Sequence, residues 1–221
     1  MQTPHLANRL RLIVITDEAS VRPRALSDVV REALAAGAPT IQLRLKGASA
    51  RELLEAARTL MPLVRSAGAL FIVNDRLDVA LAAGADGVHL GPDDPPVTDA
   101  RAVAAEALGA AANGFVLGCS LDTPDAAARA EAEGADYLGV GAVYATANKS
   151  DAGDVIGLEG LKRVVEAVSI PVVAIGGITP ERADVVAESG ACGAAVIGAV
   201  MGSPGPAEAV RALLSPFSGP A

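Results

Sequence analysis

The chain has 221 residues, of which 51% are hydrophobic and only 20% charged, so it has ample apolar surface for a core and does not resemble a disordered chain. Aromatic residues make up 2% and tryptophan is absent, which favours a core of Ala, Val, Leu and Ile, the residues that line helix-on-parallel-sheet interfaces. The formal net charge of −8 excludes a broad basic surface for nucleic acid or anionic membrane, so an anionic ligand must be held by a local cluster of cations or by a metal.

The N-terminal segment and the cysteines bear on the compartment. Residues 1–11 lack the apolar core of a signal peptide, and no uncharged apolar run reaches the roughly 18 residues of a membrane span. Cys119 and Cys192 form neither a metal-ligand spacing nor a disulfide framework, and we interpret them as small buried thiols. We therefore expect a cytoplasmic protein with no nucleic-acid or membrane partner.

Short apolar, β-branched runs alternate with longer amphipathic runs along the chain, a pattern typical of repeated βα units and a parallel sheet. The short runs are too uniformly apolar for half-exposed antiparallel strands, so the predicted strands are buried on both faces. Eight strands are predicted, at residues 12–15, 40–43, 70–73, 87–90, 115–118, 137–140, 172–175 and 194–197.

The helical stretches carry start and stop signals. The runs 123–125 (Thr-Pro-Asp) and 179–181 (Thr-Pro-Glu) each place a hydroxyl at the N-cap, proline at the first helical position and a carboxylate near the positive end of the helix dipole. A Gly-Ala pair recurs where helices end, and its glycine can adopt the left-handed conformation. The pairs begin at Gly37, Gly84, Gly134 and Gly190. The main predicted helices span 27–36, 50–67, 123–133, 158–168 and 180–189.

The Gly-Ala pairs recur at intervals of about 50 residues, two βα units, as expected for a closed, quasi-repetitive barrel. No Pro/Gly/Ser-rich linker interrupts the series. An open, doubly wound sheet is the alternative, but residues 15–18 after the first strand read Ile-Thr-Asp-Glu and not a glycine-rich dinucleotide motif. The sequence thus predicts an α/β fold, a single (β/α)8 TIM barrel domain over residues 1–221 with its barrel core at about 12–201.

In such a barrel the active site lies at the C-terminal ends of the strands. After the second strand, alternation places Gln42, Arg44 and Lys46 on one side, so that an amide and two cations converge on the barrel mouth. This trio suits a diphosphate. The alternative is an ordinary solvated strand end.

After the third and fourth strands come the polar residues Asn74, Asp75 and Asp94. Two carboxylates on adjacent strand ends can share Mg²⁺, which usually takes one or two carboxylates and completes its shell with water and phosphate. Asp75 could instead be an N-cap of the following helix. His89, inside the fourth strand, is interpreted as a structural histidine whose polar atoms are satisfied.

The remaining strand ends offer smaller groups. Ser120 contributes one hydroxyl, and the long connection 139–157 holds Thr146, Asn148 and Lys149. A connection of this length is usually a functional lid or disordered, and we favour a lid that carries Lys149. Glycines after strands seven and eight would let backbone amides approach a phosphate, although close helix packing could also select them.

Six segments taken together resemble the motif series of the thiamine phosphate synthase family, and the resemblance extends over about residues 12–201. They are Ile-Thr-Asp at 15–17, Gln-Leu-Arg-Leu-Lys at 42–46, Asn-Asp-Arg-Leu-Asp at 74–78, Asp-Gly-Val-His-Leu-Gly at 86–91, Gly-Ala-Asp-Tyr at 134–137 and Ala-Ile-Gly-Gly-Ile at 174–178. The resemblance implies a transferase that joins a pyrimidine methyl diphosphate to a thiazole phosphate, giving thiamine phosphate and pyrophosphate.

The resemblance also implies roles for individual residues. It assigns the pyrimidine diphosphate to Gln42, Arg44, Lys46, Asn74, Ser120 and Lys149. It assigns Mg²⁺ to Asp75 and Asp94, and the thiazole phosphate to Thr146, Gly177 and Ile197. The implied mechanism is dissociative, with Arg44, Lys46, Ser120 and Lys149 assisting the departure of pyrophosphate. The partners are these small molecules, and a homo-oligomer is left open.

Four positions depart from the family pattern. Pro92 stands where Gln is usual, Asp122 where His follows the Ser, Asn148 where a second Thr precedes the Lys, and Gly198 where Ser follows the Ile. Because an Asn side chain and a glycine amide can still donate to phosphate, we expect altered affinity and retained function. The related thiazole tautomerase, and a non-catalytic barrel that senses a phosphorylated ligand, are the alternative functions.

Overall fold

Eight parallel strands close into one barrel in the computed structural model, which describes residues 3–146 and 154–217. Each strand pairs with the next one in the chain, and the last pairs with the first. The strands are β1 (Leu12–Ile15), β2 (Thr40–Leu43), β3 (Leu70–Asn74), β4 (Gly87–Leu90), β5 (Val116–Leu121), β6 (Tyr137–Val140), β7 (Val172–Ile175) and β8 (Gly193–Val196). The predicted (β/α)8 barrel is confirmed.

Helices of the described residues surround this barrel. They are α1 (Thr3–Arg9), α2 (Glu18–Val21), α3 (Leu26–Ala35), α4 (Ala50–Ser66), α5 (Leu77–Ala83), α6 (Val97–Leu108), α7 (Pro124–Ala132), α8 (Gly157–Ala167), α9 (Ala183–Glu188), α10 (Gly198–Met201) and α11 (Pro206–Leu214). Thr123 caps α7 as predicted, since its side chain accepts a hydrogen bond from the amide of Ala126. The stretch 180–189 differs from prediction because it starts as a 3-10 turn, Pro180–Arg182, before α9.

Five of the strand predictions match the observed bounds, and three differ at their ends. β3 continues to Asn74, β5 spans Val116–Leu121 and not 115–118, and β8 spans Gly193–Val196, one residue earlier than predicted at both ends. In β3 and β5 the apolar run marked only the buried part of the strand, but ladder pairing continues outward, where Asn74 pairs with His89 and Ser120 with Gly139. The polar residues at these strand ends are therefore held by sheet geometry.

Alternate residues of each strand point into the barrel, and the others pack against the helices. The inward set includes Ile13, Ile72 and Val173, and Leu6 and Leu10 of the α1 region pack against it. The outward set joins the larger core between strands and helices. The interior is consequently filled below the C-terminal rim, and this leaves the rim for the site.

Tyr137 fills much of the barrel interior. Its side chain is fully buried, and a Cβ added at Gly118 on the neighbouring strand would lie only 2.1 Å from its ring. Position 118 thus requires glycine because the Tyr137 ring lies against its backbone, and not because of its backbone conformation. One tyrosine opposite a glycine explains how this core closes with so few aromatic residues.

The recurring Gly-Ala pairs have the predicted role. Gly37, Gly84, Gly134 and Gly190 all have positive φ, between 69° and 96°, and each follows a helix. Two of the pairs are followed by an aspartate that bonds to the preceding strand. Asp86 accepts from the amide of Phe71 at 2.8 Å, and Asp136 from that of Leu117 at 2.7 Å. These acids stabilise the N-terminal edge of the barrel and take no part in the site.

The cysteine prediction is confirmed for Cys119, which is buried, while Cys192 is partly exposed. Burial raises the pKa of the Cys119 thiol to about 11 and that of Cys192 to about 12. Both thiols are therefore protonated and unreactive near neutral pH. Among the described residues, the helices are too short or too polar to cross a membrane.

Asp136→Ala should lower the free energy of unfolding by about 1–3 kcal/mol, because it removes a charge-assisted bond to Leu117 and the 2.7 Å contact with Arg101. Denaturant unfolding measures this. Asp28→Ala, which removes an exposed ion pair with Arg31, is the matched control and should cost about 1 kcal/mol or less. Equal losses in the two variants would contradict a structural role for Asp136.

Candidate active site

An amide pair lies at the C-terminal ends of β2 and β3. Gln42 is only 2% exposed, and its Nε2 donates to Oδ1 of Asn74 at 3.1 Å. This bond fixes the orientation of the two side-chain amides relative to each other. The amide pair therefore lies in a fixed arrangement where these two strands end.

Arg44 is positioned by a buried threonine that directly follows β1. The hydroxyl of Thr16 donates to the Arg44 carbonyl and accepts from the Arg44 amide, both at 2.9 Å, and Thr16 is fully buried. This pair of bonds extends the β1–β2 contact past the ends of both strands. Arg44 is partly buried and Lys46 exposed, so the two predicted cations lie at increasing distance from the core.

The two predicted metal ligands come together beside Gly91. A Cβ built on Gly91 would lie 3.3 Å from Oδ2 of Asp94 and 3.7 Å from Oδ1 of Asp75. Asp94 also accepts from the Gly91 amide at 2.6 Å. A side chain at position 91 would occupy the space that both carboxylates border. The arrangement agrees with a shared cation.

Asp75 has an unusual backbone conformation, with φ of 63°, and its amide donates to the carbonyl of His89 at 2.7 Å. Aspartate tolerates the left-handed region better than most residues do. The N-cap of α5 is Arg76, so the alternative that Asp75 caps this helix is wrong. The strand-to-helix turn instead directs Asp75 towards Gly91.

Ser120 forms one end of a hydrogen-bonded row. His89 contacts the Ser120 hydroxyl through Nε2 at 2.8 Å and the Tyr137 hydroxyl through Nδ1 at 2.9 Å. His89 is 8% exposed. The interpretation of His89 as a satisfied histidine is confirmed, and its partners link the barrel interior to the site.

A cavity of about 220 Å³ opens at the ends of β5 to β8. Its lining includes five of the predicted substrate residues, namely Ser120, Thr146, Gly177, Ile197 and Gly198. The glycine-rich turns after β7 and β8 form one wall of it. The cavity lining thus lies apart from the polar groups of β2 to β4, with Ser120 between them.

Gly177 permits a close contact between two loops. Its φ is 62°, and an added Cβ would lie 2.7 Å from the carbonyl oxygen of Ala145 and 2.8 Å from Cβ of Tyr144. Arg182 stacks over the Tyr144 ring at 4.4 Å and donates to the Gly177 carbonyl at 2.6 Å. Close packing against the loop after β6, and not against a helix as the alternative interpretation had it, therefore requires this glycine whatever ligand the loop binds.

The structure thus brings most of the predicted site residues to one rim, whereas Asn148 and Lys149 lie outside the described residues. Of the departures, Pro92 and Asp122 are exposed and Gly198 lines the cavity. Sequence reasoning assigned no role to Thr16 or Tyr137. The available signals were their positions inside two segments of the family motif series, 15–17 and 134–137, and the polar character of Thr16 after an apolar strand.

Fold and site together define a TIM-barrel enzyme that acts on small molecules at the C-terminal rim of the barrel. A family model described as thiamine monophosphate synthase matches residues 12–200. The chain belongs to this family. Its activity is that of a thiamine-phosphate synthase, a transferase.

Individual relatives agree with the family assignment. The chain is 50% identical over 204 residues to the thiamine-phosphate synthase of Moorella thermoacetica, covering 92% of this chain and 93% of the relative. It is 51% identical over 203 residues to that of Methanoculleus marisnigri, with 91% and 92% covered. A solved thiamine phosphate pyrophosphorylase from Pyrococcus furiosus superposes with a TM-score of 0.85 at 46% identity, covering 97% of this chain and all of that one.

Thr16→Val should lower kcat/KM by about tenfold or more, because it removes both bonds that fix Arg44 and small misplacements of binding groups are costly. Thr40→Val is the matched control: Thr40 is equally buried, but it bonds to Arg9 at the N-terminal end of the barrel. Both variants should lose stability, and only Thr16→Val should lose activity at temperatures where each is folded. Parallel losses of activity would contradict a positioning role for Thr16.

Proposed function

We propose that the chain condenses a pyrimidine methyl diphosphate with a thiazole phosphate at this rim, using Mg²⁺, and releases pyrophosphate. The observation that carries the proposal is the pair of carboxylates, Asp75 and Asp94, that border one space beside Gly91. β3, which precedes Asp75, pairs with both β2 and β4. The acids therefore share the rim with Arg44 and Lys46. A biosynthetic enzyme of this kind fits the cytoplasmic location, which stays a prediction.

The diphosphate half of the site is assigned to β2, β3 and β5. Arg44 and Lys46 supply positive charge, and the Gln42–Asn74 pair supplies oriented polar groups. Ser120 adds a hydroxyl, and we assign a further cation, Lys149, to the same diphosphate. These side chains hold the diphosphate in position and stabilise the charge that develops on it.

The acids on β3 and β4 fit a magnesium ion. Carboxylate oxygens are hard ligands, and magnesium commonly uses one or two of them together with water and substrate phosphate. In the described residues, no group of three or more His, Cys, Asp and Glu side chains forms a metal-binding cluster. When bound, magnesium would neutralise part of the diphosphate charge. Asp75 and Asp94 are the residues that would hold it.

The thiazole phosphate is assigned to the cavity of β5 to β8. Thr146, Gly177, Ile197 and Gly198 line it, and Asn148 is assigned to the same phosphate. Most of the lining residues are glycine or apolar, which suits a flat heterocycle and exposes backbone amides to its phosphate. The two substrates would then meet at Ser120, where the cavity adjoins the diphosphate groups.

The residues support a dissociative reaction. The bond from the pyrimidine methylene carbon to the diphosphate oxygen breaks, and its electron pair leaves with pyrophosphate, assisted by Arg44, Lys46, Ser120 and Lys149. The pyrimidine stabilises the resulting carbocation, and the thiazole nitrogen donates the electron pair of the new bond. No protein nucleophile is needed for this reaction.

The direct test is to mix the two phosphorylated substrates with the purified protein, with and without magnesium, and to follow thiamine phosphate and pyrophosphate. The proposal expects equimolar formation of both products and a strong dependence on magnesium. Turnover that is unchanged after chelation of divalent cations would contradict the magnesium assignment. Failure to form thiamine phosphate from these two substrates would contradict the reaction itself.

Asp75→Asn and Asp94→Asn should each raise the magnesium concentration needed for half-maximal activity by at least about tenfold. Mutating a residue that only supports a metal ligand already lowers metal affinity or activity by about that factor. Asp93→Asn, at an exposed neighbour of Asp94, is the matched control and should leave the requirement unchanged. Magnesium titrations of initial rate measure the difference. Unaltered titrations in both Asp75 and Asp94 variants would overturn their assignment.

Gly198→Ser should lower KM for the thiazole phosphate by roughly tenfold, because one hydrogen bond to a charged acceptor is worth about 1.5–3 kcal/mol at most and part of it is offset by water. KM for the pyrimidine diphosphate should stay the same, since Gly198 lines the cavity and not the diphosphate half. Steady-state kinetics with each substrate varied in turn measures both constants. An unchanged or higher KM for the thiazole phosphate would show that the pocket is already complete.

A further inference from the structure

The row Tyr137–His89–Ser120 is built into three adjacent strands. His89 on β4 and Tyr137 on β6 are both register partners of Gly118 on β5, and Ser120 lies two residues further along the same strand face. Glycine at 118 leaves room for the tyrosine ring. Glycine at 139 leaves room for the histidine ring, since an added Cβ there would lie 2.9 Å from Cε1 of His89. The two rings are therefore confined, and the row has one geometry.

The buried end of the row decides where the hydrogens lie. Tyr137 is fully buried, and burial raises the pKa of its phenol, so the hydroxyl keeps its hydrogen. In the part of the chain that the structure describes, its hydroxyl has one hydrogen-bond partner, Nδ1 of His89 at 2.9 Å. A buried O–H without an acceptor is unfavourable. The phenol therefore donates, and Nδ1 is the acceptor.

The hydrogen bond that the Tyr137 phenol donates to Nδ1 fixes the tautomer of His89. A neutral imidazole that accepts at Nδ1 carries its hydrogen on Nε2. The Nε2–H group then donates to the Ser120 hydroxyl oxygen at 2.8 Å. The opposite tautomer would consume the hydroxyl hydrogen of Ser120 at Nε2 and leave the phenol hydrogen without an acceptor.

We propose that Tyr137 and His89 are positioning residues that hold Ser120 as a hydrogen-bond donor towards the substrate. With its oxygen occupied by His89, Ser120 directs its own hydrogen away from the histidine and into the site, where an anion is the natural acceptor. The inference rests on the diphosphate contact proposed for Ser120. It adds that the donor role is set from the barrel interior, by a residue that does not reach the substrate.

The tautomer is measurable without substrate. The chain has two histidines, His5 and His89, so nitrogen NMR of the protein labelled with 15N-histidine gives two imidazole spectra, and His5→Gln assigns them. His5 is exposed on α1. The proposal expects a protonated Nε2 and an unprotonated Nδ1 at His89. A protonated Nδ1, alone or together with Nε2, would overturn it. In Tyr137→Phe, which keeps the ring, the tautomer should redistribute towards a protonated Nδ1.

A double-mutant cycle tests the consequence for catalysis. Tyr137→Phe should lower kcat/KM for the pyrimidine diphosphate by between about threefold and tenfold, the size of one weakened hydrogen bond. In a Ser120→Ala background the same change should alter kcat/KM by less than about twofold, because the residue through which it acts is gone. Melting temperatures show that each variant is folded at the assay temperature.

The outcomes distinguish a failure of the substrate contact of Ser120 from a failure of the positioning role of Tyr137 and His89. Equal losses from Tyr137→Phe in both backgrounds would show that Tyr137 acts only through stability, and this would overturn the positioning role. A Ser120→Ala variant with unaltered kcat/KM would overturn the substrate contact of Ser120 and the positioning role with it. An impaired Ser120→Ala variant combined with a protonated Nδ1 at His89 would overturn the positioning role alone.

Discussion

Parallel register around a closed barrel is the constraint on which the site depends. Because each strand pairs with both neighbours, the position of any one strand is fixed from two sides, and a shift by one residue would exchange its inward and outward faces. That register sets Gln42 against Ile72 and Asn74 against His89. Residues far apart in the chain thus meet at hydrogen-bond distance without a loop having to bring them together.

Much of the fold could be predicted because the signals are local. Uniformly apolar runs mark strands buried on both faces, and Gly-Ala pairs mark helix ends whose glycines have positive φ. The carboxylates were predictable for a related reason. Asp75 and Asp94 follow consecutive strands, and consecutive strands in such a barrel are neighbours, so order along the chain is also order around the rim.

The contacts that orient the site were not predictable in this way. Thr16 bonds to Arg44 across 28 residues of sequence, and His89 to Tyr137 across 48. Buried threonines and tyrosines are common in protein cores, so the residue type alone does not predict a role in the site. Only the register shows that Thr16 meets the Arg44 backbone and that His89 and Tyr137 flank Gly118. The ends of β3 and β5 also differ from the prediction, because ladder pairing continues beyond the apolar run.

The division of the rim explains why departures from the family pattern can be tolerated. The polar and charged groups that we assign to the diphosphate lie on β2 to β4 or directly after them. Gln42, Arg44 and Asp75 keep the residues of the family pattern there, and Pro92 departs from it at an exposed position. Gly198 departs from the pattern on the cavity side, where shape and backbone amides contribute most of the lining. On the proposed assignment, the loss of one hydroxyl there would weaken the binding of one substrate and leave in place the charges assigned to the departing pyrophosphate. We therefore expect substitutions to be tolerated more readily where binding is shared among many weak contacts than at the few charged residues to which the chemistry is assigned.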